Sequence, residues 1–273
     1  MMYLDYNATT PIDNQVYETM KPFFEEQFGN PSNTYTLGQT AKEAVSMARR
    51  QVANLIGADD NEVYFTGCGS ESNNTVLKGV AFGKREHGKH IITSNIEHPS
   101  IVEPLTFLKH FGYEVTYIPV DVSGAVSAND VEKAIRPDTI LVTIMHSNNE
   151  VGTLQPIAEI GKFCRQKGIL FHTDASQSIG KVAVNVTDLQ VDFLTIAGHK
   201  LYAPKGIGAL YIRKGIILEP LLHGAKQEGG IRAGTENVPY IAGLGKAAEI
   251  AQAYLANQDI LEKKQYFYIA LPL

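Results

Sequence analysis

Strand-like and helix-like segments alternate from about residue 15 to residue 255, and this alternation restricts the fold more than any other feature. Ala41, Ala44, Val45, Ala48, Val52 and Leu55 recur at helical spacing, so 40–56 reads as an amphipathic helix. The stretches 15–28, 98–111, 127–136, 156–167 and 238–256 read the same way, and a polar turn at 67–70 opens a helix through Val80. Between them lie runs of strand length at 62–66, 90–94, 114–120, 139–146, 169–175, 191–198 and 206–213. Strands separated by helices form parallel sheets covered on both faces. Uninterrupted apolar runs such as ILVTIM suit strands buried on both sides. The expected class is α/β, with a mainly parallel sheet between helices.

The 273 residues suffice for one large or two small domains. The pattern divides them into an N-terminal segment 1–14, a large domain 15–256 and a stretch 257–273 without clear periodicity, which reads as the start of a further C-terminal domain. A net charge of −5 gives no reason to expect a nucleic-acid partner. The opening MMYLDYNATTP has no basic segment followed by an apolar run, and no stretch reaches the ~18 apolar residues of a membrane span. Cys68 and Cys164 make no disulfide framework, so a reducing, cytoplasmic setting is expected.

Ligands of open α/β sheets sit beyond the carboxyl ends of the strands, where the polar clusters of this chain fall. In 67–72 a strand passes into a helix through GCGSES, a phosphate site if the helix N-terminus is free and a plain turn capped by Ser70 if it is not. Asp174, ending ILFHTDA, needs a cationic partner such as a protonated pyridine nitrogen if it is buried, or else it caps the next turn. Gln177, three residues on, can reach a phenolic oxygen. Lys200 follows an apolar strand directly, where desolvation would prepare an amine for a Schiff base; the plain alternative is a surface lysine. His98 suits stacking and proton transfer, or a structural role. Asn149 can donate to a phenolate, or form a turn with Asn148. The histidines His87, His90, His110, His146 and His223 show no metal-ligand spacing, and no metal is expected.

Eight segments in order, LDYNATTP (4–11), GNPSN (29–33), FTGCGSES (65–72), EHPS (97–100), SNNEVG (147–152), HTDASQS (172–178), GHKLYAPKGIGALYIR (198–213) and GGIRAGTENVP (229–239), resemble cysteine desulfurases of the NifS/IscS type, within the class V aminotransferase group of enzymes dependent on pyridoxal 5′-phosphate (PLP). The resemblance implies the aspartate aminotransferase-like fold type I, with a large PLP-binding domain and most of the small domain missing. It implies that Lys200 binds PLP covalently, that His98 stacks on the ring and assists proton transfer, and that Asp174 pairs with the pyridine nitrogen. Gln177 and Asn149 would contact the phenolic oxygen, and Gly69, Ser70 and His199 the phosphate. Thr235 would reach the phosphate of a second subunit, making a homodimer. The implied reaction converts L-cysteine to L-alanine and passes a persulfide to a sulfur-acceptor scaffold protein for iron–sulfur cluster assembly, or to tRNA thiolation.

The chain also departs from the family pattern. The family's nucleophilic cysteine and carboxylate-gripping arginine belong to a C-terminal third that this sequence does not match, so impaired turnover is expected. Ala197 stands where a phosphate-binding serine is common. A selenocysteine lyase, or a catalytically inactive PLP-binding dimerisation partner, are the alternatives.

Overall fold

The protein is described by a computed structural model over residues 2–256, so the stretch 257–273, read above as the start of a further domain, lies outside the described residues. Seven strands form one sheet: β1 (Val63–Thr66), β2 (His90–Ser94), β3 (Glu114–Ile118), β4 (Thr139–Thr143), β5 (Leu170–Asp174), β6 (Phe193–Ala197) and β7 (Gly208–Ile212). Their order is β1-β7-β6-β5-β4-β2-β3. The pairs β2–β3, β2–β4, β4–β5 and β5–β6 are parallel, whereas β7 is antiparallel to both β6 and β1. The reason is local. The link from β6 to β7 has no room for the helical crossover that a parallel return requires.

Strands β2, β4, β6 and β7 are buried at every position, and successive side chains enter opposite cores. Ile91, Leu141 and Phe193 pack with Leu77 and Leu105; their neighbours Ile92, Val142 and Leu194 pack with Val45, Ile160 and Leu244. Each such side chain removed from water contributes about 1.5–3 kcal/mol. The first core is covered by α4 (Gly69–Gly83) and α5 (Pro99–Lys109), and the second by α3 (Thr36–Ile56), α7 (Ile157–Lys167) and α9 (Val238–Ala256). Helices α3 and α9 approach closely because α9 is small-sided. A Cβ added at Gly245 would lie 2.5 Å from Ala48 Cα.

The remaining helices are short. The helix expected over 15–28 is two, α1 (Asn14–Met20) and α2 (Pro22–Glu25). Pro22 has no N–H with which to continue the first ladder. The helix expected over 127–136 is confined to α6 (Ala128–Lys133), and a one-turn helix, α8 (Val186–Leu189), had no periodicity to announce it. The strand run expected over 139–146 ends at Thr143, and the chain beyond it turns into the site. No helix among the described residues is long and apolar enough to cross a membrane.

The chain moves outward from β2 to β3, then returns to place β4 on the other side of β2. That reversal opens a crevice at the carboxyl ends of β2 and β4.

Candidate active site

The segments following β1, β2, β4, β5 and β6 meet around one cavity of about 470 Å³. Of the residues singled out from the sequence, Gly69, Ser70, His98, Asn149, Asp174, Gln177, His199 and Lys200 all line it. Thr235 does not. It lines a separate cavity of about 280 Å³ with Gly67, Arg232 and Asn237. Its expected role at a second subunit's phosphate is therefore one that this single chain does not complete.

Asp174 is the last residue of β5 and is 7% exposed. Its carboxylate accepts from Asn73 Nδ2 at 2.7 Å and from the Ser176 N–H at 2.9 Å, both neutral donors. Two residues earlier His172 points to the same side of the strand. It lies between Thr143 Oγ1 (2.8 Å) and Thr195 Oγ1 (3.1 Å), and burial lowers its pKa to about 4. His146 is treated likewise: its Nδ1 meets Ser178 Oγ at 2.7 Å and burial lowers its pKa to about 4. These histidines brace the floor.

His98 caps α5. Its Nδ1 accepts the Ser100 N–H at 3.1 Å and lies 2.8 Å from Ser100 Oγ. A nitrogen that accepts an N–H carries no proton, so the ring is the Nε2–H tautomer and the Ser100 hydroxyl is the donor. Glu97, beside it, is buried. Its Oε1 accepts from Ser94 Oγ at 2.6 Å and from the Met145 N–H at 2.9 Å, which ties the end of β2 to the chain leaving β4. Burial raises its pKa to about 8.

Lys200 ends the one-turn 3₁₀ segment Gly198–Lys200 directly after β6. Its Nζ donates to the carbonyls of Asn7 and, at 3.0 Å, Ala8, so the N-terminal segment lies against the amine. Burial lowers the pKa of Lys200, opposed by the negative charges of Asp5 and Asp174. The Gln177 amide donates to the Asn7 carbonyl at 3.0 Å, and Lys181 Nζ donates to Gln177 Oε1 at 2.8 Å. Burial, then the charge of Lys200, lowers the pKa of Lys181 to about 8. His199 Nδ1 lies 3.1 Å from Thr9 Oγ1, and Asn149 Nδ2 donates to Glu150 Oε1 at 2.6 Å.

The turn at 67–70 places the start of α4 at the cavity. Cys68 precedes the helix and makes no side-chain cap, so the first N–H groups of α4 remain available. Gly69 lets the turn sit close: a Cβ there would come 3.2 Å from both Ala197 Cβ and Ser176 Oγ. Cys164, by contrast, is buried in α7, and burial raises its thiol pKa.

Sequence reasoning assigned no role to Asn7, Asn73, Glu97, Ser100, Ser176 or Lys181. One signal was available. Ser70 and Asn73 are three apart on one helix, and three-apart residues share a face.

The arrangement suits a planar, anionic, nitrogen-containing ligand: a carboxylate lacking a charged donor, an amine of lowered pKa, an imidazole of fixed tautomer and a helix N-terminus. Comparison with known proteins points the same way. Residues 2–271 match the family model Aminotransferase class-V. The cysteine desulfurase IscS of Dictyoglomus turgidum is 54% identical over 97% of this chain and 68% of that protein. The cysteine desulfurase IscS of Methanosarcina thermophila is 51% identical over 96% of this chain and 65% of that protein. A solved structure of SspA in complex with cysteine superposes with a TM-score of 0.89 at 47% identity, over 91% of this chain and 72% of that one. The chain thus spans about two thirds of the length of the curated relatives it matches.

Proposed function

This chain belongs to the aminotransferase class-V family and has the fold type I architecture of its PLP-dependent members; on that premise we propose that it binds PLP at Lys200 and acts on L-cysteine as a cysteine desulfurase. The observation that carries the proposal is the convergence of Lys200, Asp174, His98 and the start of α4 on one cavity. The residues fit the cofactor. A volume of about 470 Å³ lies within the usual range of small-molecule sites. Asp174 receives only neutral donors and can accept a pyridinium N–H. The close turn at Gly69 leaves the N–H groups of α4 for a phosphate.

Bound PLP supplies an electron sink for a carbanion at the substrate α-carbon. The protein's own groups would do the rest. Lys200 would be the covalent tether and, when its amine is free, the base for the α-proton. Its lowered pKa enlarges the neutral fraction that both tasks need. Asp174 holds the charge that keeps the ring nitrogen protonated. His98, which lines the cavity, would face the ring and present its Nε2–H. Gly69, Ser70 and His199 hold the phosphate. Gln177 and Asn149 would donate to the phenolic oxygen, for which each amide nitrogen has a second hydrogen beside the one it gives to its present partner. Thr235, on its separate cavity, serves the site of a second copy, so the working unit is a homodimer. Removing sulfur also requires a thiolate. Cys164 is not that thiol, since it is buried with a raised pKa. The sulfur goes to an acceptor for iron–sulfur cluster assembly or tRNA thiolation, and the work is done in the cytoplasm.

The test is incubation of the purified protein with PLP and L-cysteine. PLP uptake is expected, with alanine formation once an added thiol supplies the attacking thiolate, and Lys200→Ala should remove both. Uptake of PLP by an intact dimer that forms no alanine, even with an added thiol acceptor, would overturn the desulfurase reading.

A further inference from the structure

We infer that Asn73 is a positioning residue: it donates one amide hydrogen to Asp174 and the other to Ser100, so that the Ser100 hydroxyl joins the backbone N–H in donating to His98 Nδ1 and reinforces the ring proton on Nε2. The importance of this proton for catalysis rests on the PLP reading above. The geometry itself does not.

Asn73 is the fifth residue of α4, is fully buried and points toward the end of β5 and the first turn of α5. Its Nδ2 lies 2.7 Å from Asp174 Oδ2 and 2.8 Å from Ser100 Oγ. The carboxylate can only accept, so the atom facing it is the amide nitrogen and the orientation of the amide is fixed by chemistry. Both amide hydrogens are thereby used. The amide oxygen is buried with no partner among the described residues, an unfavourable arrangement tolerated where the two donations matter. Ser100, having received an N–H, directs its own hydrogen to His98 Nδ1 at 2.8 Å, beside the backbone N–H that already lies there. Polarity therefore runs one way, outward from Asn73: to Asp174 on one side, and through Ser100 to His98 on the other. His98 Nε2 has no protein partner among the described residues, and its ring borders the cavity.

A residue that merely filled space would tolerate aspartate, its near-isostere, better than leucine. The proposed role predicts the opposite for His98. In Asn73→Asp the new carboxyl group shares one proton with Asp174, leaving the charge of the pair as it is in the wild type, and its oxygen accepts the Ser100 hydroxyl hydrogen, withdrawing it from Nδ1; the bare Ser100 oxygen then favours a proton on that nitrogen. In Asn73→Leu the hydroxyl is free to keep donating to Nδ1.

The experiment is NMR titration of the histidine ring nitrogens in protein free of PLP, so it remains decisive even if the protein proves not to bind PLP. Of the other titratable groups on the cavity, Asp5, Glu150, His199 and Lys200 keep their neighbours in every variant, and Asp174 gains a carboxyl neighbour in Asn73→Asp alone. The wild type should show His98 as the Nε2–H tautomer. Asn73→Asp should favour protonation at Nδ1 by about tenfold, and Asn73→Leu by far less. A folded Asn73→Asp protein whose His98 titrates as in the wild type, or no higher than in Asn73→Leu, would overturn the inference. If Asn73→Asp fails to fold, Ser100→Ala decides. Loss of the hydroxyl donor should ease protonation of His98 by about threefold to tenfold. An unmoved titration in Ser100→Ala would refute the relay.

Discussion

The two walls of the cavity are built in different ways. On the Asp174–His98 wall the long-range polar contacts join elements of the sheet-and-helix scaffold: Asn73 of α4 to Asp174 of β5, Glu97 at the end of β2 to the chain leaving β4, and His172 to β4 and β6. On the Lys200 wall the partners are main-chain carbonyls of Asn7 and Ala8, in an exposed N-terminal segment that forms no helix or strand. The difference matches what each wall would do. A carboxylate that holds a ring nitrogen must not move. An amine that is first a tether and then a base must exchange partners, and contacts with loosely built carbonyls are the easier ones to give up.

The contrast can be broken by substitution. The largest effect belongs to the fixed wall. Asp174→Ala removes the acceptor for a charged donor, and the affinity for PLP should fall about tenfold to a hundredfold in a fluorescence titration. An affinity as high as that of the wild type would show that Asp174 does not face the ring.

The second effect is on stability against pH, and it also lies in the fixed wall. The pKa of Glu97 is raised from 4.5 in the unfolded chain to about 8 in the folded one. The folded state therefore holds a proton that the unfolded state loses, so stability declines as pH rises from about 4.5 to about 8. The decline from this group is at most about 1.4 kcal/mol per pH unit. Glu97→Gln should flatten it in denaturant unfolding series. His146 and His172 act in the other direction. Their folded pKa values near 4 mean that stability is lost as pH falls from 6.5 toward about 4. A Glu97→Gln protein with an unchanged slope on the neutral side would contradict the buried-acid assignment.

The smallest effect belongs to the Lys200 wall. Asp5 raises the pKa of Lys200, so Asp5→Asn should increase the neutral fraction of that amine and speed PLP capture near neutral pH by less than about tenfold. Stopped-flow mixing reads the rate directly. A slower capture would mean that Asp5 orders the N-terminal segment rather than acting on the amine through charge.

Much of this wall-building was legible in the chain. The alternation of apolar runs and helical spacings gives the sheet, and the polar clusters after 62–66, 90–94, 139–146, 169–175 and 191–198 all reach one rim because their strands run the same way. Sequence alone did not reveal β7 as the reversed strand, although its short connection to β6 is the physical cause. Nor did it reveal the break at Pro22 or the single turn at Val186–Leu189, because a few residues carry no period. In the site, residues beside a distinctive motif were found and residues acting across the fold were not. Asn73 meets Asp174 from 101 positions away in sequence, and Asn7 meets Lys200 from 193. Such pairs follow from topology, which no local pattern encodes.

The most direct test of the central claim is chemical. PLP-loaded protein is reduced with borohydride, digested and mapped by mass spectrometry. A pyridoxyl group is expected on Lys200 and on no other lysine. A label on Lys181, which shares the lowered pKa and lies one side chain away through Gln177, or no label at all, would contradict it.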